Sequence, residues 1–98
     1  MQLYITIAGH KHYFGLLPFY VGCELFLQAE PDNLYDSEAI AVYSTKYGKV
    51  GYVAQNDETR AGGTIPASIL FPLAKKQTAI VCFIAGDYVI AEIKQQRS

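Results

Sequence analysis

The chain has 98 residues, 51% of them hydrophobic and 17% charged, and a formal net charge of −1. That is one domain's length, with apolar material for one ordinary core and no need of a staple. The charge argues against a protein that tracks long nucleic acid by neutralising many phosphates, because such proteins carry a basic stripe. Here Glu24, Glu30, Asp32, Asp36 and Glu38 run together, while Lys11, Lys46, Lys49, Arg60, Lys75, Lys76, Lys94 and Arg97 are scattered.

In chain order, Gln2–Ala8 alternates as a strand, with Leu3, Ile5 and Ile7 on one face and Tyr4 and Thr6 on the other. Gly9–Tyr20 has no clean period and reads as a long functional or packing loop. Cys23–Ala29 is a second strand, and Pro31-Asp32-Asn33 supplies turn chemistry before a third, Ala39–Ser44. Tyr47-Gly48-Lys49 reads as a hairpin turn into Val50–Ala54, where Gly51 marks a bulge or a close backbone approach. Asn56 or Asp57 caps a short turn through Arg60, ended by Gly62-Gly63. Thr64 is the expected cap of a second helical turn that begins near Pro66 and stops at Pro72. Thr78–Ala85 and Tyr88–Ile93 form a hairpin across Gly86-Asp87, with glycine placed for a type II′ turn. Gln95–Ser98 is a polar tail. The expected fold is mainly β, a small OB-like or SH3-like barrel with one or two short helices, spanning residues 1–98 as a single domain.

Cys23 and Cys82 lie in apolar, strand-like stretches without a CxxC pair, and are expected to be buried thiols of a reduced compartment. The N-terminal MQLYITIAGH lacks a basic n-region, and its apolar stretch is too short for a signal peptide. No run of about 18 apolar residues is present to span a membrane. The expectation is a cytoplasmic protein.

Candidate chemistry is thin. His10 and His12 would share a face on a strand, with Cys23 and Asp36 as further candidates, yet no spacing fixes a zinc site. The serines lack a GxSxG context, neither cysteine sits beside positive charge, and Gly62-Gly63 is not followed by GK[ST]. Nothing asks for a cofactor. The acidic run contains paired carboxylates, which leaves an enzyme acting on nucleic-acid ends as one alternative. The aromatics Tyr13, Phe14, Tyr20, Tyr35, Tyr43, Tyr47 and Tyr52 lie in or beside loops. Two readings of them stand side by side: stacking platforms for the bases of a single strand, or the rim of a small barrel core.

The string EPDNLYDSEAIAVY, from Glu30 to Tyr43, followed by Gly48-Lys49-Val50-Gly51-Tyr52-Val53, resembles the signature of the HIRAN domain. Upstream, Ala8-Gly9-His10-Lys11-His12-Tyr13-Phe14-Gly15 is similar to that family's first loop, in the same order and spacing. The resemblance runs from about Ile5 to Ile93 and is specific up to Gly63. It implies a modified OB-like barrel, a fold found at the front of SNF2-type helicases, fused to other DNA-processing domains, and alone in bacteria. It also implies a reader of the 3′-hydroxyl ends of single-stranded DNA at stalled or remodelled forks, beside a helicase or nuclease partner.

Carried over residue by residue, the resemblance sets Lys11, His12 and Tyr13 against the terminal nucleotides, His12 standing where an aromatic is more usual. It gives Asn33, Tyr35 and Asp36 the central turn, Asp36 to accept from the terminal hydroxyl and Tyr35 to flank the last base. Tyr52 takes the place of an aromatic or histidine near the phosphate. DNA-binding members carry basic residues after the Gly-Tyr-Val strand, where this chain has Ala54, Gln55, Asn56 and Asp57. Lys11 is then the cation of the site, with Lys49 as a second. The alternative on the same fold is a protein-interaction module without DNA binding.

Overall fold

Period-two alternation is what closes this chain into a ring. The computed structural model describes residues 2–73 and 77–94, so the polar tail expected at 95–98 lies outside the described residues. Six strands form: β1 (Tyr4–Ala8), β2 (Glu24–Glu30), β3 (Ala39–Ser44), β4 (Gly48–Val53), β5 (Gln77–Ala85) and β6 (Tyr88–Lys94). They pair antiparallel in the order β1-β4-β3-β2-β5-β6, and β6 returns to β1 through pairs such as Ile5 with Ala91. The expected small β-barrel is therefore the observed one. Closure gives each of the six described strands a partner on both sides, the pairing of β1 with β4 being the shortest.

The inward face carries Ile5, Ile7, Leu25, Leu27, Ile40, Val42, Val50, Val53, Val81 and Val89, all buried. One short helix, α1 (Ala67–Leu70), adds Ala67 and Leu70 to this core before the chain tightens into a 3-10 turn at Phe71–Leu73. Each fully buried Leu or Ile contributes about 1.5–3 kcal/mol. No helix of the described residues is long and apolar enough to cross a membrane.

Two bulges decide which side chains face where. Val42 pairs with Gly51 and Tyr43 with Lys49, so Val50 is an extra residue on β4. Strict alternation places residues three apart on opposite faces, and an inserted residue resets that phase. Val50 and Val53 accordingly both enter the core, while Lys49 Nζ reaches Tyr52 Oη at 3.0 Å on the outer side. Gly51 itself lies against β1, where a β-carbon would stand 2.7 Å from the Ala8 carbonyl oxygen, as its sequence context led one to expect. On β5 the extra residue is Cys82, between Val81 and Phe83.

That second bulge corrects one expectation. Cys23 is buried, but Cys82 is exposed, because it follows the inward-facing Val81 and lies on the outer side of the sheet. A second correction concerns Thr6, expected on the outer face and found buried. The 60–64 loop folds over it: the Ala61 N–H donates to Thr6 Oγ1 at 3.1 Å, and the Thr6 and Thr64 hydroxyls meet at 2.9 Å. Thr64 is thereby withdrawn from the helix it was expected to cap, its hydroxyl donating to the Ala61 carbonyl at 2.6 Å. The N-cap position of α1 is Pro66, and the Ser68 N–H is instead satisfied by Gln55 Oε1 at 2.9 Å. The β5–β6 turn follows expectation, with Gly86 at φ 57° and no positive φ at Asp87.

Candidate nucleic-acid interface

β1 pairs with β4 only through Ile7–Val53 and Ala8–Tyr52. Next to those pairs the Ala54 N–H donates to the Thr6 carbonyl at 2.8 Å, and Gly51 packs on Ala8. The β2–β3 turn supplies Asn33, Tyr35 and Asp36 to the wall of an opening beside them. The opening is a groove of about 450 Å³ lined by Tyr13, Asn33, Tyr35, Asp36, Tyr52 and Gln55, with Ala8 and Gly9 among its other walls. Five of the seven residues singled out from the sequence meet here. Lys11 and His12 do not; they line an adjoining groove of about 640 Å³ with Glu58, Asp87 and Tyr88. The two grooves share Ala8, Gly9 and Thr59.

The turn is held by its own side chains. Asn33 Oδ1 accepts from the Tyr35 N–H at 2.9 Å and the Asp36 N–H at 3.1 Å. This side-chain mimic of a backbone turn is why asparagine suits the position. Asp36 Oδ1 accepts from the Glu38 N–H at 2.9 Å, and its Oδ2 accepts from Gln55 Nε2 at 3.2 Å. An ionised carboxylate has about four acceptor sites, so Asp36 keeps capacity for a further donor. Tyr35, by contrast, is 96% exposed beside Leu34 at 93%. Its ring rests on nothing in the fold.

The other wall is a polar cluster on Tyr52. Tyr52 Oη donates to Glu30 Oε1 at 2.9 Å and accepts from Lys49 Nζ at 3.0 Å, while Lys49 Nζ bonds Glu30 Oε2 at 2.8 Å. Asn33 Nδ2 donates to the same Glu30 Oε1 at 3.0 Å. Burial pushes the Glu30 carboxyl up, but the hydrogen bonds from Lys49, Asn33 and Tyr52 outweigh it, and its pKa falls below the ordinary value. The bond to Glu30, and then that to Tyr52, raises the pKa of Lys49. Lys49 also lies over the Tyr52 and Tyr43 rings, at 5.0 and 5.9 Å from their centroids. The second cation expected from the sequence is thus an internal partner of Glu30. Asp36 is the one acidic or basic residue of the Asp, Glu, Lys, Arg and His types lining the 450 Å³ groove among the described residues.

The aromatics divide between the two readings. Tyr43, Tyr47 and Tyr52 are half-buried on the barrel rim, whereas Tyr13, Phe14, Tyr20 and Tyr35 are exposed. Rim and exposed rings also meet, Tyr13 with Tyr52 at 6.4 Å and Phe14 with Tyr47 at 5.1 Å between centroids. The loop from Gly9 to Tyr20 both packs and presents: Phe19 enters the core, and Tyr13 faces the groove.

His10 and His12 lie on one 3-10 turn, His10 buried and His12 exposed, so they do not share a face. Both His10 ring nitrogens are without a partner among the described residues, and burial, with Lys11 nearby and against the pull of Asp87, lowers its pKa. Sequence reasoning overlooked Gln55 and Glu30. Gln55 was read only as a missing cation, although it ties Asp36 to α1 through its two ends. Glu30 opened the motif without a role.

Fold and groove define a class, a closed six-stranded antiparallel barrel with an aromatic groove beside the β1–β4 pairing and one carboxylate in its wall among the described residues. Among solved structures the chain is similar to a protein from Lactobacillus plantarum, at 22% identity and TM-score 0.67 over 95% of this chain and 93% of that one. It is likewise similar to the HIRAN domain of human HLTF, at 22% identity and TM-score 0.65 over 94% and 70%. These likenesses speak for the fold. No curated protein matches the chain. The family model for the HIRAN domain matches residues 1–81, and the chain belongs to that family.

Proposed function

We propose that this domain is a non-catalytic DNA-binding module that holds the 3′-hydroxyl end of a single strand in the 450 Å³ groove. The observation that carries the reading is Asp36, fixed at both oxygens by Glu38 and Gln55, beside the unpacked ring of Tyr35. A carboxylate repels phosphate but accepts from a hydroxyl, so an acidic wall suits a strand end that lacks phosphate. Tyr35 stacks on or flanks the last base, and Asn33 sets both residues in place. Tyr13 and Tyr52 form the opposite wall. Lys11 and His12, in the adjoining groove, meet the backbone further along the strand. Membership of the HIRAN family supports DNA binding, and the chemistry needs no cofactor. The domain is placed in the cytoplasm, at DNA under repair or fork processing, working with a helicase or nuclease partner.

Because Lys49 is paired with Glu30, phosphate neutralisation falls mainly to Lys11. The salt dependence is accordingly shallow, with a slope of about −0.7 for one contact on single strands. Fluorescence anisotropy at low salt tests the reading with a short strand ending in a 3′-hydroxyl against the same strand ending in a 3′-phosphate. The expected result is preference for the hydroxyl end, lost in Asp36→Ala. Equal binding to both ends, untouched by the substitution, refutes it.

One observation favours a second reading, a protein-interaction surface. Leu34 and Tyr35 stand together almost fully exposed, and Lys49, behind the Tyr52 wall, is paired with Glu30. Capture of a partner protein that is lost in Leu34→Ala and Tyr35→Ala but survives Asp36→Ala, without DNA binding, selects that alternative.

A further inference from the structure

Glu30 lies outside the groove and touches three of the residues that shape its character. One oxygen takes hydrogen bonds from Asn33 and Tyr52, and the other takes the Lys49 ammonium at 2.8 Å. Asn33 in turn holds the Tyr35 and Asp36 amides. A single carboxylate at the end of β2 therefore joins the β2–β3 turn to β4 and also occupies the nearest cation. Tyr52 lines the groove, and Lys49 sits one hydrogen bond behind its hydroxyl.

The charge balance follows from this arrangement. With Glu30 and Lys49 cancelling each other, Asp36 supplies the groove's own charge. A terminal phosphate, at about −1.5 to −2 near neutral pH, meets that carboxylate with no cation lining the groove among the described residues to offset it. A terminal hydroxyl meets an acceptor. Were the Lys49 ammonium released, its flexible stem would bring a point charge to the Tyr52 wall, and the same groove would tolerate phosphate.

We infer that Glu30 is a positioning residue that sets end selectivity: it braces Asn33 and Tyr52 and sequesters Lys49, so that the groove admits a hydroxyl end and refuses a phosphate end. The inference rests on the reading of the groove as a strand-end site.

Glu30→Gln separates the two duties. The carboxamide oxygen still accepts from Asn33 and Tyr52, while its NH₂ cannot pair with an ammonium. In this variant the 3′-phosphate strand is expected to gain about two- to fivefold in affinity, the worth of one exposed charge pair. The salt slope steepens by about 0.7, and the Asn33 side-chain amide and Tyr35 and Asp36 backbone resonances stay in place. Lys49→Gln alone leaves the slope at its wild-type value, and added to Glu30→Gln it abolishes the gain. Glu30→Gln with wild-type slope and selectivity overturns the inference, as does a shallower slope in Lys49→Gln alone; both leave the end-reader reading standing. Wild-type protein indifferent to Asp36→Ala overturns that reading, and the inference with it.

Discussion

Replacing Gly51 with alanine tests the close approach of β1 and β4 at which the groove opens. The backbone of Gly51 is not left-handed, so alanine fits its conformation, and in open space the change would stabilise by about 0.4–1 kcal/mol. Here the added methyl would lie 2.7 Å from the Ala8 carbonyl oxygen and 3.1 Å from Ile7 Cγ2. The first contact is with backbone and cannot be relieved by a rotamer; β1 itself must move. Overpacking of this sort costs about 1–3 kcal/mol, which against that gain leaves a net loss of roughly 0–2.6 kcal/mol, about 1.3 kcal/mol at the middle of both ranges. For a domain of this size each kcal/mol lowers the melting midpoint by about 4–8 °C. Urea denaturation followed by far-ultraviolet circular dichroism, with a thermal scan alongside, measures both quantities. Because Ala8 and Gly9 line the groove, strand-end affinity falls as well. A stabilised Gly51→Ala protein refutes the close approach and the placement of the groove wall on it.

Tyr35→Ala is expected to weaken single-strand binding by about 1–3 kcal/mol, the worth of one stacked base, while stability stays within about 0.5 kcal/mol. The ring is 96% exposed, so anisotropy changes and the melting midpoint does not; the reverse pattern contradicts the assignment. His10 gives a pH dependence. Its folded pKa lies below the ordinary value of 6.5, because burial disfavours the imidazolium, so the unfolded chain binds the proton more readily. The stabilisation is therefore complete above pH 6.5 and is lost as pH falls through the folded value. Thermal scans of wild type between about pH 7.5 and 5 should show a decline that His10→Leu reduces, and parallel curves would rule out burial of the neutral ring as its cause.

The sequence by itself determined the strands and the turn. Alternation at Ile5 and Ile7, at Leu25 and Leu27, and at Ile40 and Val42 needs only a pleated chain with one buried face, and such local patterns are readable without a fold. Asn33, Tyr35 and Asp36 were legible for the same reason: their hydrogen bonds close within three residues. The motif order also sufficed to point to the HIRAN family. What the tertiary structure decided are the contacts made across the chain. Thr6 is buried because Ala61 and Thr64, more than fifty residues away, fold onto it. Gln55 appeared as an absent cation until its reach to Asp36 and Ser68 was seen. Lys49 appeared available for phosphate, and strict alternation would have set it on the face opposite Tyr52. The extra residue at Val50 resets that phase and brings Lys49, Tyr52 and Glu30 together. A bulge depends on how one strand registers against its partner, here β4 against β3, so the pattern of β4 alone does not reveal it.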